Sequence, residues 1–250
     1  MESAERKVEK VLHKNESACI LPEMITEIQE KRLKELLHLF MEENTKLNLS
    51  ALRDEDSIWI GHILDSVIFL DILETFSTFR SSLSVLDIGT GGGFPLLPLA
   101  ICMPDTQFFG LDSTQKKLDA ITRMTDALQI NNVQMLSGRC EELGRDSAHR
   151  DHYDIVTARA VAPLNVLLEY AAPFVKPGGY FVAWKSMKME TELQESLLAR
   201  AELSCHLKEK YAYTLPGDWG ERQLLIFEKT SKTNKKYPRE TGAPKHHPIV

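Results

Sequence analysis

Residues 84–95 read Ser84-Val85-Leu86-Asp87-Ile88-Gly89-Thr90-Gly91-Gly92-Gly93-Phe94-Pro95. Val85, Leu86 and Ile88 form a short apolar run, broken only by Asp87, that stops at a burst of glycine. A buried strand running into a tight turn has this form. Beyond the turn, Pro95 suits a first helical turn, and Leu96, Leu97, Leu99, Ala100 and Ile101 begin a compact apolar helix. Glycine admits backbone angles closed to other residues and lets a ligand lie against the main chain. Strand, glycine turn and helix start together build a nucleotide-type pocket at the carboxyl edge of a sheet.

The residues around the turn bear on which nucleotide. A dinucleotide fingerprint wants glycine at its first, third and sixth positions. Gly89 and Gly91 meet the first two, but Phe94 occupies the last. Asp87, just before the turn, disfavours a pyrophosphate and suits a ligand with cationic groups, such as the ammonium and sulfonium of S-adenosylmethionine. A second acid, Asp112, closes the apolar run Phe108 to Leu111 and lies 23 residues after Gly89. That is near the roughly 20 expected for an acid gripping ribose hydroxyls. The pattern therefore favours S-adenosylmethionine over NAD, and an NAD-dependent oxidoreductase stands as the alternative.

A chain of 250 residues that is 43% hydrophobic and 26% charged can bury a full core. The cysteines at 19, 102, 140 and 205 are scattered. They give no metal-binding pattern and no disulfide framework, so a reducing cytoplasm is expected. No apolar run is long enough for a membrane span, and Glu2, Glu5 and Glu9 do not fit a secretory leader. The net charge of −6 is uneven. From Lys229 to Val250, six Lys/Arg face one acid, leaving +5 there and −11 elsewhere. A basic arm on an acidic body can meet nucleic-acid phosphates, or it can be a solvated tail.

Residues 1–20 are polar and expected to fray. A helical pattern opens at Pro22 and Glu23, with Ile25, Ile28, Leu33, Leu36, Leu37 and Phe40 on one side, and runs to about Lys46. A second helix is expected from Asp56 to Phe76, with His62, Asp65 and Ser66 sharing a face. From Leu83, strands are expected at 83–88, 106–111, 132–137, 153–157 and 178–184. They alternate with helices at 95–103, 114–128, 141–147, 163–174 and 190–204. Such alternation implies a parallel sheet with right-handed crossovers. Pro177-Gly178-Gly179 reads as a turn into the fifth strand. Cys205 to Thr214 and Gln223 to Lys229 then read as a closing antiparallel pair. The expected fold class is α/β: a Rossmann-like S-adenosylmethionine methyltransferase fold with a mostly parallel seven-stranded sheet and an N-terminal helical extension. Residues 1–80 are expected as a helical cap and 81–230 as the cofactor-binding domain. Residues 231–250 are expected as a basic tail, either part of that domain or flexible.

Further candidates follow the predicted strands. Cys140 and Glu141, after the third, are placed to meet an adenine edge; acids at a helix start explain them equally. Arg159, after the fourth, lies where reacting groups meet. It is the one candidate for positioning substrate or cofactor, with a surface ion pair as the alternative. Lys185 and Arg222 fall at strand ends, either meeting phosphate or simply solvated. The Asp/Asn-Pro-Pro-Tyr/Phe motif of exocyclic-amine methylation is absent. So is a cysteine beside proline for attack on a pyrimidine. An acceptor with a free lone pair, such as guanine N7, needs neither device. No proton leaves it, so positioning and electrostatics suffice.

The ordered set of motifs resembles the bacterial small-subunit rRNA guanine-N7 methyltransferases, the glucose-inhibited division protein B family. It comprises Asn48-Leu49-Ser50, His62 with Asp65-Ser66, Asp87 to Pro95, Leu111-Asp112-Ser113 with Lys116 and Lys117, Arg139-Cys140-Glu141, Arg159 to Ala162, Pro177-Gly178-Gly179 with Lys185, and the tail Lys236 to Pro244 with Pro248. The resemblance implies methylation of N7 of a guanine in the 530 loop of 16S rRNA, with S-adenosylmethionine as donor. It places cofactor contacts on Gly89, Phe94, Cys140, Glu141 and Arg159, beside Asp87 and Gly91, with Asp112 as ribose acid. It also makes the tail, with Lys235, Lys236 and Arg239, an RNA contact. The implied protein is a cytoplasmic monomer acting on 16S rRNA or the small ribosomal subunit. The alternative is a non-catalytic assembly factor that binds the same cofactor and RNA. Three residues depart from the family pattern. Leu96 stands for a glycine and is expected to tighten the pocket mouth, Ser186 stands for a glycine after Lys185, and Cys140 stands for a small residue.

Overall fold

The computed structural model describes residues 25–76 and 83–250. The fraying expected for residues 1–20, the helix start at Pro22 and the boundary at residue 80 lie outside the described residues. Helix α1 spans Glu27–Leu47. Thr26 caps it: its hydroxyl accepts from Gln29 N, and the Gln29 side chain accepts from Thr26 N. Leu33, Leu36, Leu37 and Phe40 lie on the buried face, and Asn48 ends the helix in the left-handed conformation.

The single helix expected from Asp56 to Phe76 is broken into four pieces. They are α2 (Glu55–Ile58), a π-helical turn (Trp59–Leu64), α3 (Asp65–Val67) and a 3-10 stretch (Ile68–Thr75). A local cause is visible. The Ser66 hydroxyl donates to the His62 carbonyl at 2.5 Å, competing with the helical ladder. Wide turns of this kind recur at functional sites, and this one carries His62.

Seven strands follow: β1 (Ser84–Ile88), β2 (Gln107–Asp112), β3 (Val133–Ser137), β4 (Tyr153–Arg159), β5 (Val175–Ser186), β6 (Cys205–Thr214) and β7 (Glu221–Lys229). Their order is β3-β2-β1-β4-β5-β7-β6, parallel except where β7 runs antiparallel to β5 and β6. The intervening helices are α4 (Leu96–Cys102), α5 (Gln115–Leu128), α6 (Cys140–Leu143), α7 (Leu164–Ala171), α8 (Glu190–Glu195) and α9 (Leu197–Glu202), with α10 (Ala243–His246) near the end. Helices α1, α4 and α5 pack on one face of the sheet, and α7 and α9 on the other. The chain leaves β1 toward β2 on one side, while β4 pairs on the other. That switch point sets a crevice above the carboxyl end of β1, where the glycine turn lies.

Several boundaries differ from expectation, among them β4, which runs on to Arg159, and α7, which ends at Ala171. β5 begins at Val175, so Pro177-Gly178-Gly179 falls inside the strand, opposite a register shift between Tyr153 and Ile155. The helix expected over 141–147 is only Cys140–Leu143. The one expected over 190–204 divides at Ser196, whose hydroxyl donates to Leu193 O at 2.8 Å.

The C-terminal segment is packed, with Tyr237 and Ile249 buried in the core beneath α7 and α9. Arg150 fastens it by donating to the carbonyls of Thr233 and Tyr237, both at 2.8 Å. Arg239, expected to meet RNA, binds Glu169 through Nε and Nη2, at 3.0 and 2.6 Å, and keeps 31% of its side chain exposed. Glu169 is fully buried, and a buried carboxylate demands a partner. Lys236 pairs with Glu202 at 2.7 Å, while Lys235 remains exposed. Removing Arg239 strands the Glu169 charge. Arg239→Ala is therefore expected to lower stability by about 3 kcal/mol in urea denaturation. Arg239→Lys should recover only part, because an ammonium cannot bind a carboxylate bidentately.

Candidate active site

The glycine turn is clamped to β2. Thr90 N donates to Leu111 O at 3.0 Å, and Gly91 N donates to Asp112 Oδ2 at 3.1 Å. The other oxygen, Oδ1, accepts from Thr114 N at 2.9 Å. Each Asp112 oxygen thus keeps a lone pair for a further donor. Gly89 has φ +66°, and a β-carbon there would lie 2.7 Å from Val161 Cγ2, so both angle and space require glycine. At Gly91 (φ +57°) a β-carbon would meet only Gly89 O, at 3.7 Å, so the ground before it is open.

Asp87 lies beneath this turn and is 1% exposed. Its Oδ1 accepts from Thr157 Oγ1 at 2.8 Å. Its Oδ2, like the nearby Thr90 hydroxyl, is buried without a hydrogen-bond partner. Burial pushes the carboxyl up to about 6, and the nearby Thr90 hydroxyl, the Thr157 hydrogen bond and the Arg159 charge offset only part of that. Orphaned buried polar atoms are rare and call for an explanation. An unpaired carboxylate oxygen beside an open glycine turn fits a ligand with a cationic group. This set of acceptors therefore fits S-adenosylmethionine and disfavours a pyrophosphate.

Past β3, Glu141 is buried and its Oε1 accepts from Gly242 N at 2.9 Å, while Glu142 Oε1 accepts from Thr241 Oγ1 at 3.3 Å. The C-terminal segment thus buttresses the α6 turn. Burial, with the Glu141 and Asp112 charges, pushes the Cys140 thiol up to about 12, so it stays protonated near neutrality.

On the other side of the turn, Phe94 is 6% exposed and stacks on His62, with centroids 4.7 Å apart and planes at 15°. Phe40 meets Phe94 edge-on at 4.8 Å. Arg159 reaches this group from the end of β4, where Ala160 adopts φ +56°. Its Nη1 donates to Gly61 O at 3.1 Å and to Asp65 Oδ2 at 2.8 Å, and its Nη2 donates to His62 Nδ1 at 3.0 Å. That pattern assigns the His62 proton to Nε2, which donates to Ser50 Oγ at 2.8 Å. Burial, followed by the Arg159 charge, holds His62 down at about 3. His62 is therefore expected to stay neutral from pH 8 to pH 5. Its imidazole NMR shifts should not move over that range, where a free histidine titrates near 6.5.

The residue that organises this rim is Asp65, fully buried. Besides Arg159 it accepts from Tyr213 OH at 2.6 Å and Arg222 Nη1 at 3.2 Å, and its main-chain oxygen accepts from Trp184 Nε1 at 2.8 Å. Sequence reasoning placed Asp65 beside His62 but missed its strand partners. Tyr213 lies 148 residues away and Trp184 lies 119 away, and no local pattern joins them.

Lys185 is drawn inward. Its Nζ donates to Ala162 O at 3.0 Å and pairs with Glu192 at 2.9 Å, bracing the loop after β4. Leu96 does not narrow the mouth. It is 1% exposed, and its Cδ2 would lie 2.6 Å from a β-carbon on Gly110, so it fills the space over β2. Ser186 is exposed, and its carbonyl accepts from Gln223 at 2.8 Å.

A mixed seven-stranded sheet closed by an antiparallel pair, with a glycine turn at its switch point, defines a Rossmann-like fold of the methyltransferase class. A solved SAM-dependent methyltransferase from Aquifex aeolicus shares it, with a TM-score of 0.51 and 16% identity over 74% of this chain and 97% of that one. The family model GidB, described as rRNA small subunit methyltransferase G, matches residues 29–222. The chain is 38% identical to the Ribosomal RNA small subunit methyltransferase G of Lysinibacillus sphaericus, over 90% of this chain and 93% of that one. It is also 38% identical to the protein of the same name in Staphylococcus aureus, over 90% and 92%. The chain belongs to the GidB family of rRNA small subunit methyltransferases.

Proposed function

We propose that the chain uses S-adenosylmethionine to methylate N7 of a guanine in the 530 loop of 16S rRNA. One observation carries the cofactor half of the reading. Asp87, with its unpaired oxygen, and Asp112, hydrogen-bonded to Gly91, flank one open glycine turn. The family supplies the RNA half.

S-adenosylmethionine, when bound, supplies a methyl group on a sulfonium carbon. Asp87 offers negative charge to the cationic end of that ligand, and Asp112 offers acceptor lone pairs to its ribose. The Gly89–Gly91 backbone forms the floor, and Cys140 and Glu141 serve the adenine side. Guanine N7 carries a lone pair and no proton, so the chain needs no general base. The neutral His62 and the protonated Cys140 accord with that. Arg159 is the positioning residue. Its carboxylate, carbonyl and imidazole partners fix it before substrate arrives, so no ordering is left for the reaction itself. Among the described residues no helix is long and apolar enough to cross a membrane. The reading is of a cytoplasmic enzyme acting as a monomer.

Unmodified small-subunit rRNA incubated with the protein and S-adenosylmethionine, then treated with borohydride and aniline, should show a new primer-extension stop beside one guanine. RNA that is bound but never cleaved would replace this reading with that of a non-catalytic assembly factor.

A further inference from the structure

Between β6 and β7 the chain makes a 3-10 turn, Gly217–Trp219, at the carboxyl edge of the parallel strands. The register pairs Arg222 with Ser186 of β5 on one side and with Tyr213 of β6 on the other, so this turn lies beside the active-site rim. Trp219 leans on the π-helical turn that carries His62. A β-carbon on Gly61 would lie 2.6 Å from Trp219 Cη2 and Cζ3, so only glycine admits the indole there. The Arg222 guanidinium lies 5.7 Å from the Trp219 ring centroid. Its Nη1 reaches Asp65 Oδ2, the oxygen that also holds Arg159.

Two features of this arrangement point outward. First, among the described residues Arg159 and Arg222 share Asp65 as their carboxylate partner. Two guanidiniums on one carboxylate, beside a neutral His62, leave an uncompensated positive charge. Arg222 keeps 30% of its side chain exposed, against 13% for Arg159, so that charge reaches solvent at Arg222. Second, Trp219 is only half-buried, and β5 ends at the exposed Ser186, opposite Arg222, with Met187 and Lys188 exposed after it. Trp219 rests one side on the core, and an aromatic ring braced by an arginine at the rim of a cleft is the pairing that unpaired bases use.

We propose that Trp219 and Arg222 form a platform for an unpaired RNA nucleotide next to the target base, with Trp219 stacking the base and Arg222 meeting its phosphate. Asp65 then serves both halves of the site, fixing Arg159 toward the reacting base and Arg222 toward the neighbouring nucleotide. This rests on the rRNA reading above and adds to it which residues grip the strand outside the pocket.

The test measures binding of a fluorescently labelled small-subunit rRNA fragment containing the target loop to the full chain. S-adenosylmethionine calorimetry and thermal unfolding run on the same samples. Trp219→Leu should weaken RNA binding by about 5- to 100-fold, the range of one lost base stack, while cofactor affinity holds. Trp219→Phe should restore most of the loss. Arg222→Gln should lower the slope of log affinity against log salt by about one, the signature of one lost phosphate contact. Wild-type RNA affinity in folded Trp219→Leu and Arg222→Gln would overturn the platform. So would a loss of RNA and cofactor binding together, which would mark the pair as structural. If the wild-type chain bound no rRNA fragment, the functional reading would fall with it. A wild-type chain that methylates while both variants bind normally would sink the platform alone.

Discussion

Asp65→Asn is expected to cut methyl transfer by 100-fold or more and to destabilise the chain by about 3–5 kcal/mol, the usual cost of breaking a buried ion pair. The substitution keeps the shape of the side chain and removes its charge. Three donors then face a neutral amide: Tyr213 OH, Arg159 Nη1 and Arg222 Nη1. Two guanidiniums held together by one carboxylate must now repel each other. Arg159 loses the charged one of its three partners, and a small misplacement at a reacting centre is costly in rate. Urea denaturation and single-turnover kinetics read the two effects separately. Asp65→Asn combined with Arg222→Met should regain part of the stability, because one stranded cation is gone, without regaining the rate.

The second large effect has opposite signs for stability and binding. Burial raises the Asp87 carboxyl from 3.8 to about 6. An acid with a raised pKa in the folded state holds its proton there while the unfolded chain has released it. Its contribution to stability is complete below about pH 4 and is lost as pH rises to about 6. At pH 8 the buried charge is a cost. Asp87→Asn is therefore expected to stabilise the folded chain at pH 8 by about 1–3 kcal/mol. The same change removes the negative charge offered to a cationic ligand, so S-adenosylmethionine affinity should fall by about 100-fold. For the wild type, affinity should rise with pH between about 5 and 7 as the carboxyl ionises. A variant that binds better and unfolds earlier would reverse both signs and contradict the role given to Asp87.

What the sequence discloses depends on how local the physics is. The β1 turn was legible because apolar run, acid and glycines sit within a few residues of one another. The closing strands β6 and β7 were legible because Pro216-Gly217-Asp218 separates two runs of strand-forming residues. The π-helical turn was not legible. Its residues keep a helical pattern, and the side chains that bond its carbonyls, Ser66 on His62 and the distant Arg159 on Gly61, do not show in it. The Glu169 partner of Arg239 is hidden in the sequence for a related reason. Arg239 belongs there to a basic run, but Glu169 lies 70 residues away inside α7. A buried carboxylate is invisible until the helix that buries it is placed. Lys185 was equally ambiguous, and Glu192 on α8 decides its direction.

The central claim is that the acid-flanked glycine turn holds the methyl donor. Titration calorimetry of S-adenosylmethionine into the wild type, Asp87→Ala and Asp112→Ala tests it most directly. The predicted result is one site on the wild type and affinity at least about tenfold weaker in each variant, about the loss of one hydrogen bond to a charged group. Equal affinity in all three folded proteins would contradict it.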